Sequence, residues 1–205
     1  LEVDDDSRLG RELIAGGTRY HAHFVPDEEL TANLYELACE RLEAAGVRQY
    51  EISNFARAGY EWRHNLKYWT RQPYLGFGVD AHSMLSCLGR ECEAVRFSST
   101  DSLEAYLANT TARKVLVASE AAVEEAFFLG LRLTKGVDLE SIASEFGRAR
   151  ANAFSDAIAE CVESGLLQRE GNAIRLTERG RLLSNEVFER FILLTDRVDT
   201  RPFEC

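Results

Sequence analysis

Proline and methionine are scarce in this chain, with three and one among 205 residues. So little proline excludes a proline-rich linker or a polyproline recognition segment. No apolar run reaches the roughly 20 residues that a membrane-spanning helix needs. Positive charge is also short: 24 Lys and Arg face 34 Asp and Glu, for a net charge of −10 and a pI near 5.0. A general nucleic-acid binder needs the opposite field to meet phosphate, so nucleic acid is not expected as a partner. The five cysteines (Cys39, Cys87, Cys92, Cys161 and Cys205) are odd in number and scattered. That pattern reads as free thiols in a reducing cytosol rather than a disulfide framework, and Cys87 with Cys92 is the one near pair. What remains is an ordinary soluble composition, 45% hydrophobic and 28% charged, sufficient for a sizeable core.

The chain starts abruptly at Leu1. Leu1 to Val3 reads as the tail of a buried strand, and the expectation is a piece of a longer protein. An acidic turn follows over Asp4 to Ser7, then a short helix over Leu9 to Ala15, broken by Gly16 and Gly17. Leu30, Leu34, Leu37, Ala38, Leu42 and Ala45 recur at helical spacing. Pro26 and Asp27 suit the start of that helix and Gly46 its end. Val47 to Ile52 reads as a strand, so helix and strand together form half of a β/α repeat. In such folds function gathers on the loops after strand C-termini. The loop here is Ser53 to Arg63, and it runs into His64-Asn65-Leu66-Lys67-Tyr68-Trp69.

His64 to Trp69 reads as one or two helical turns closed by Pro73, with His64 stacked on Tyr68 and Asn65 on Trp69. Tyr74 to Gly78 reads as a short buried strand. Gly76 and Gly78 lack the third glycine of a phosphate-binding fingerprint and suit close packing instead. Val79 to Ser83, with His82, reads as a loop. A strand over Glu93 to Phe97 and a helix over Ser102 to Leu107 follow. The polar run Asn109 to Lys114 reads as a linker, placing a domain boundary near residue 112.

Beyond it, Val123, Ala126, Phe127, Gly130 and Leu131 mark one amphipathic helix. Leu139, Ile142 and Phe146 mark a second, with Asp138 as its N-cap. Ala153 to Val162 marks a third. Glu170-Gly171-Asn172 is a hairpin turn, and Thr177 caps a last helix reaching Ile192. Three helices, a hairpin and a helix is a winged-helix-like order. Residues 116–205 hold 16 acidic and 11 basic side chains. The candidate recognition helix carries Asp156, Glu160 and Glu163 beside Arg148 and Arg150, which favours packing or protein interaction over DNA.

Among candidate sites, His21 and His23 would share one face of a strand, but no carboxylate or cysteine cluster accompanies them. His64 with Asn65, Tyr68 and Trp69 offers an imidazole able to ligate iron and rings able to stack on a flat aromatic ligand. The same residues serve equally as an aromatic patch packing the rim of a barrel, and spacing does not choose between the two.

The stretch YEISNFARAGYEWRHNLKYWTRQPYLGFGVDAHS resembles the heme chaperones of the radical-SAM superfamily, the HemW group related to oxygen-independent coproporphyrinogen-III oxidases. It carries their HNxxYW signature as His64, Asn65, Tyr68 and Trp69. The likeness continues through FFLGLRLTKGVDL and GLLQREGNAIRLTERGRLLSNEVF. Two features depart from the family pattern. The CxxxCxxC motif that holds a [4Fe-4S] cluster and S-adenosylmethionine is absent, and Val79-Asp80 stands before AHS where many relatives have small residues.

The resemblance implies an α/β fold in two parts. Residues 1–112 would be the C-terminal units of a partial radical-SAM TIM-type barrel, and residues 113–205 a mainly helical, winged-helix-like domain. It implies heme binding and delivery to an acceptor protein in the cytoplasm, with a homodimer left open. His64 is the implied heme contact and iron ligand, Tyr68 and Trp69 flanking rings, Asn65 an orienting group, and His82 a contact to S-adenosylmethionine through its backbone. The rival readings are an oxygen-independent coproporphyrinogen III oxidase and a catalytically silent interaction module. Without the cluster motif, this chain alone is not expected to perform radical chemistry.

Overall fold

Local capping signals set the first helices. In the computed structural model, which describes residues 7–16, 26–87, 92–108 and 111–192, Ser7 caps α1 (Arg8–Ile14) by accepting from the Gly10 amide at 2.9 Å. Asp27 caps α2 (Glu28–Ala44) through the Leu30 amide at 2.8 Å, and Gly46, at φ +75°, ends it. Asp27 and Gly46 are the ends expected for α2 from the sequence, whereas Ser7 was expected in a turn. The chain divides into two compact units, Leu1–Arg48 and Gln49–Cys205. The strand over Leu1 to Val3, Asp4 to Asp6 of the acidic turn, the histidines His21 and His23, and Cys205 lie outside the described residues.

In the second unit the structure is mixed α/β, as expected, and the described residues form no closed barrel. Strand β1 (Arg48–Glu51) lies beside β2 (Asn54–Ala56), ahead of α3 (Arg63–Trp69). An antiparallel sheet of order β3-β4-β5 follows, from β3 (His82–Ser86), β4 (Ala94–Ser99) and β5 (Thr111–Val117), with α4 (Leu103–Leu107) between the last two. Met84, Ala94 and Val117 form its buried side.

Four expectations change here. His82 to Ser83 begins a strand instead of completing a loop, and Tyr74 to Gly78 is no buried strand. It makes a single bridge, Tyr74 to Met84, and leaves Leu75 and Phe77 exposed. The polar run expected as a linker is strand from Thr111 onward, because β5 is a sheet edge where Arg113 and Lys114 remain in solvent. Cys87 and Cys92 are joined as a disulfide, with Cα atoms 5.9 Å apart, rather than standing as free thiols. The antiparallel register sets this, since Ser86 opposes Ala94 and the Cys87 amide donates to the Glu93 carbonyl.

The remaining elements have the winged-helix order. They are α5 (Ser119–Gly130), β6 (Val137–Asp138), α6 (Leu139–Phe146), α7 (Arg148–Asn152), α8 (Ser155–Glu163), β7 (Leu167–Glu170), β8 (Ala173–Leu176), α9 (Glu178–Leu182) and α10 (Ser184–Glu189). Strands β6-β8-β7 form a small antiparallel sheet, with Gly171 turning the hairpin at φ +61°. Asp138 caps α6 by accepting from the Ser141 amide at 2.7 Å, and Thr177 caps α9. The last helix breaks in two at Leu183.

The core of this module is aromatic. The rings of Phe127, Phe154 and Phe191 lie 4.7 to 5.8 Å apart, and all three are buried. A Cβ on Gly180 would run into the Leu166 carbonyl, so α9 packs directly on the entry to β7. The module is also joined to β1. Glu51 bridges Leu133, the Ile52 amide donates to the Arg132 carbonyl, and the Thr134 amide donates to the Tyr50 carbonyl, both at 3.1 Å.

Candidate functional site

Helix α3 is short and has no side-chain cap; its Thr70 end is tied by a hydroxyl that donates to the Leu66 carbonyl at 2.6 Å. Residues four apart then meet on one face. His64 Nε2 lies 2.7 Å from the Tyr68 hydroxyl, and the two rings stand edge to face with centroids 4.8 Å apart. Tyr68 is backed in turn by Tyr74, edge-on at 4.5 Å. Tyr74 is held by two backbone bonds with Met84, of 2.8 and 3.0 Å. Burial raises the Tyr74 phenol above its usual pKa, so it stays protonated at neutral pH. His64 is exposed, Tyr68 half-buried.

The other face of α3 is anchored by charge. The Arg132 guanidinium lies 4.3 Å over the Trp69 ring, a cation–π contact, and 3.5 Å from Glu51, which is fully buried. Glu51 also accepts from the Ser53 amide and the Asn54 side chain. Just past the helix, Arg71 takes a positive φ of 52°. That rare backbone turns its side chain onto Glu125 at 3.2 Å, while Arg96 of β4 reaches the other Glu125 oxygen at 2.7 Å. Two guanidiniums thus share one buried carboxylate between α3, β4 and α5.

The glycine segment is clamped onto β3, β4 and α4. A Cβ on Gly76 would strike the His82 carbonyl, and the Gly76 amide donates to the Ser83 hydroxyl at 3.0 Å. The Gly78 amide donates to the Tyr106 hydroxyl, and the Ser99 hydroxyl donates to the Gly78 carbonyl. Asp80 sits at φ +54°. This leaves Phe77 84% exposed.

The structure therefore brings His64 and Tyr68 together as the spacing predicted. It turns Trp69 toward Arg132. Asn65 is half-buried and makes no side-chain hydrogen bond among the described residues. His82 is exposed at the start of β3, joined to the aromatic cluster only through the Tyr74–Met84 pairing. Sequence reasoning missed Tyr74, Glu51, Arg132, Arg71 and Glu125. The partners of the charged four lie far along the chain, 54 residues apart for Arg71 and Glu125, and no local periodicity marks such a pairing; Tyr74 meets Tyr68 across the turn that ends α3.

An exposed imidazole in an aromatic setting suits a heme iron ligand. Among the described residues the cysteines do not converge on a site for an iron–sulfur cluster. Cys87 and Cys92 are bonded to each other, Cys161 is buried with its thiol pKa pushed up by desolvation, and a metal needs thiolates. Among the described residues, no three His, Cys, Asp or Glu side chains converge as a metal site. No described helix is long and apolar enough to cross a membrane. An open cleft of about 420 Å³, lined by Phe55, Ala56, Arg57 and Tyr60, lies in the segment between β1 and α3.

Residues 117–183 match the HemN C-terminal domain family. The chain is 37% identical to heme chaperone HemW of Bacillus subtilis, over 82% of this chain and 44% of that protein. It is 34% identical to heme chaperone HemW of Mycobacterium tuberculosis, over 91% of this chain and 44% of the relative. A mitochondrial radical S-adenosyl methionine domain-containing protein 1 of Danio rerio matches at 28%, over 82% of this chain and 40% of its own length. The chain thus spans less than half the length of the curated relatives it matches. A solved structure of coproporphyrinogen III oxidase (HemN) from Escherichia coli, described as a radical SAM enzyme, superposes with a TM-score of 0.61. The match covers 81% of this chain and 42% of that one, at 16% identity, and so speaks for the fold.

Proposed function

We propose, from the premise that this chain belongs to the HemN/HemW family, that it is the heme-handling portion of a radical-SAM heme chaperone. The observation that carries the reading is His64, an exposed imidazole held against Tyr68 within HNxxYW. In this reading His64 ligates the heme iron and Tyr68 flanks the macrocycle. Asn65 orients the ligand, and Trp69, with Arg132 over one face, anchors the helix beneath. His82 would meet S-adenosylmethionine through its backbone. That cofactor and the [4Fe-4S] cluster would be supplied by residues outside this chain. The boundary expected at residue 112 falls inside β5, so the elements up to β5 would act as barrel units and those from α5 onward as the interaction domain that meets the heme acceptor, in the cytoplasm.

The exposure of the site suits a protein that passes heme on, since a fully buried ligand could not be handed to a partner without unfolding its pocket. A hemin titration of this chain beside His64→Ala, followed at the Soret band, tests the reading. A saturable shift in the unmodified chain that is lost in the variant is expected. Equal binding by both proteins would remove His64 from the site.

A further inference from the structure

Imidazole offers iron only one lone pair, and the hydrogen bond at the other nitrogen selects which one. In His64 one of the two nitrogens already has a partner. Nε2 is engaged by the Tyr68 hydroxyl at 2.7 Å, while Nδ1 has no partner among the described residues. Tyr68 is poorly placed to swing away. Its ring is wedged between His64 at 4.8 Å and Tyr74 at 4.5 Å, and Tyr74 is fixed by its paired backbone bonds to buried Met84.

We infer that Tyr68 is a positioning residue: its hydroxyl oxygen accepts the Nε2–H proton of His64, fixing that tautomer and presenting Nδ1 as the iron ligand. This rests on the heme reading of the same site. If the phenol instead donated to Nε2, Nδ1 would carry the proton and neither nitrogen would be open to iron. The assignment gives Tyr68 a role through its oxygen that phenylalanine cannot supply, although phenylalanine keeps the ring. Partners that orient a ligating histidine in this way typically change metal affinity by about 10–100-fold when removed.

Two measurements decide it. The first uses 15N-labelled chain without heme, in which long-range 1H–15N correlations report the His64 tautomer. The Nε2–H form is expected, and the Nδ1–H form would overturn the inference before any heme is added. The second is a hemin titration of wild type, Tyr68→Phe and His64→Ala. The expected order is tightest for wild type, about 10–100-fold weaker for Tyr68→Phe, and no Soret shift for His64→Ala. If Tyr68→Phe binds as tightly as wild type or more tightly while His64→Ala fails, Nε2 is the ligand, Tyr68 only competes for it, and the inference falls. If His64→Ala binds like wild type, the heme reading of the site fails, and the tautomer measurement still judges the Tyr68 contact by itself.

Discussion

Residues 119–192 fully bury most of their aromatic rings, whereas residues 49–117 fully bury none and hold three out in solvent. Phe127 and Phe191 are fully buried, yet Phe77 is 84% exposed, Tyr60 82% and Trp62 66%. The contrast is between two ways of holding a structure. The winged-helix module is packed from apolar side chains, each fully buried one contributing about 1.5–3 kcal/mol. The HNxxYW region is pinned by a few buried charges, and the module supplies half of each pair: Arg132 to Glu51, and Glu125 to Arg71 and Arg96. The region that presents rings to solvent thus depends on the region that hides them.

The sharpest way to test that comparison is to damage both sides. Phe127→Ala removes a ring at the centre of the aromatic core and should destabilise the chain by about 3–5 kcal/mol, read from urea unfolding. Glu125→Ala comes next. It leaves Arg71, nine-tenths buried, with only the exposed Glu145 carboxylate at 3.8 Å, and a loss of roughly 2–3 kcal/mol is expected. Its effect should concentrate near the site, as faster amide exchange at α3 and Arg71 with the α6–α8 amides unchanged. Uniform loss of protection would break the division drawn here.

The smallest effect concerns pH. Hydrogen bonds from the Ser141 amide and hydroxyl hold the Asp138 carboxyl below its ordinary pKa. A lowered folded pKa means that its contribution is complete above the unfolded value, near 3.9, and is lost as pH falls through the folded one. Asp138→Asn keeps a capping oxygen and removes the titration. Its stability against pH should therefore be flatter on the acid side than that of wild type. An unchanged acid limb would mean that the cap contributes no pH dependence.

Much of this could be read from the residues because it is local. Asp27, Asp138 and Thr177 announce helix starts by their own side chains. His64 and Tyr68 meet because four residues make one helical turn. The winged-helix order follows from apolar positions repeating every three or four residues. What escaped is nonlocal or masked by composition. Strand β3 is only five residues with no β-branched side chain, so nothing in His82–Ser86 marks it apart from a loop. Strand β5 carries Arg113 and Lys114, which read as linker until an edge is known to lie there. Cys87 and Cys92 pair because two strands run antiparallel, a fact outside their spacing. The Glu51–Arg132 and Arg71–Glu125 pairs need the fold itself to be seen.

The bonds between β1 and residues 132–134 also set an order of events during synthesis. Tyr50 and Thr134 are 84 residues apart. At roughly 5–20 residues per second, a ribosome makes the strand about 4–17 seconds before its partner exists. Through that interval Glu51 has no guanidinium, Arg71 must wait for Glu125, and Trp69 has nothing over its face. The motif made early is therefore completed late, when the C-terminal module has emerged and closed against it.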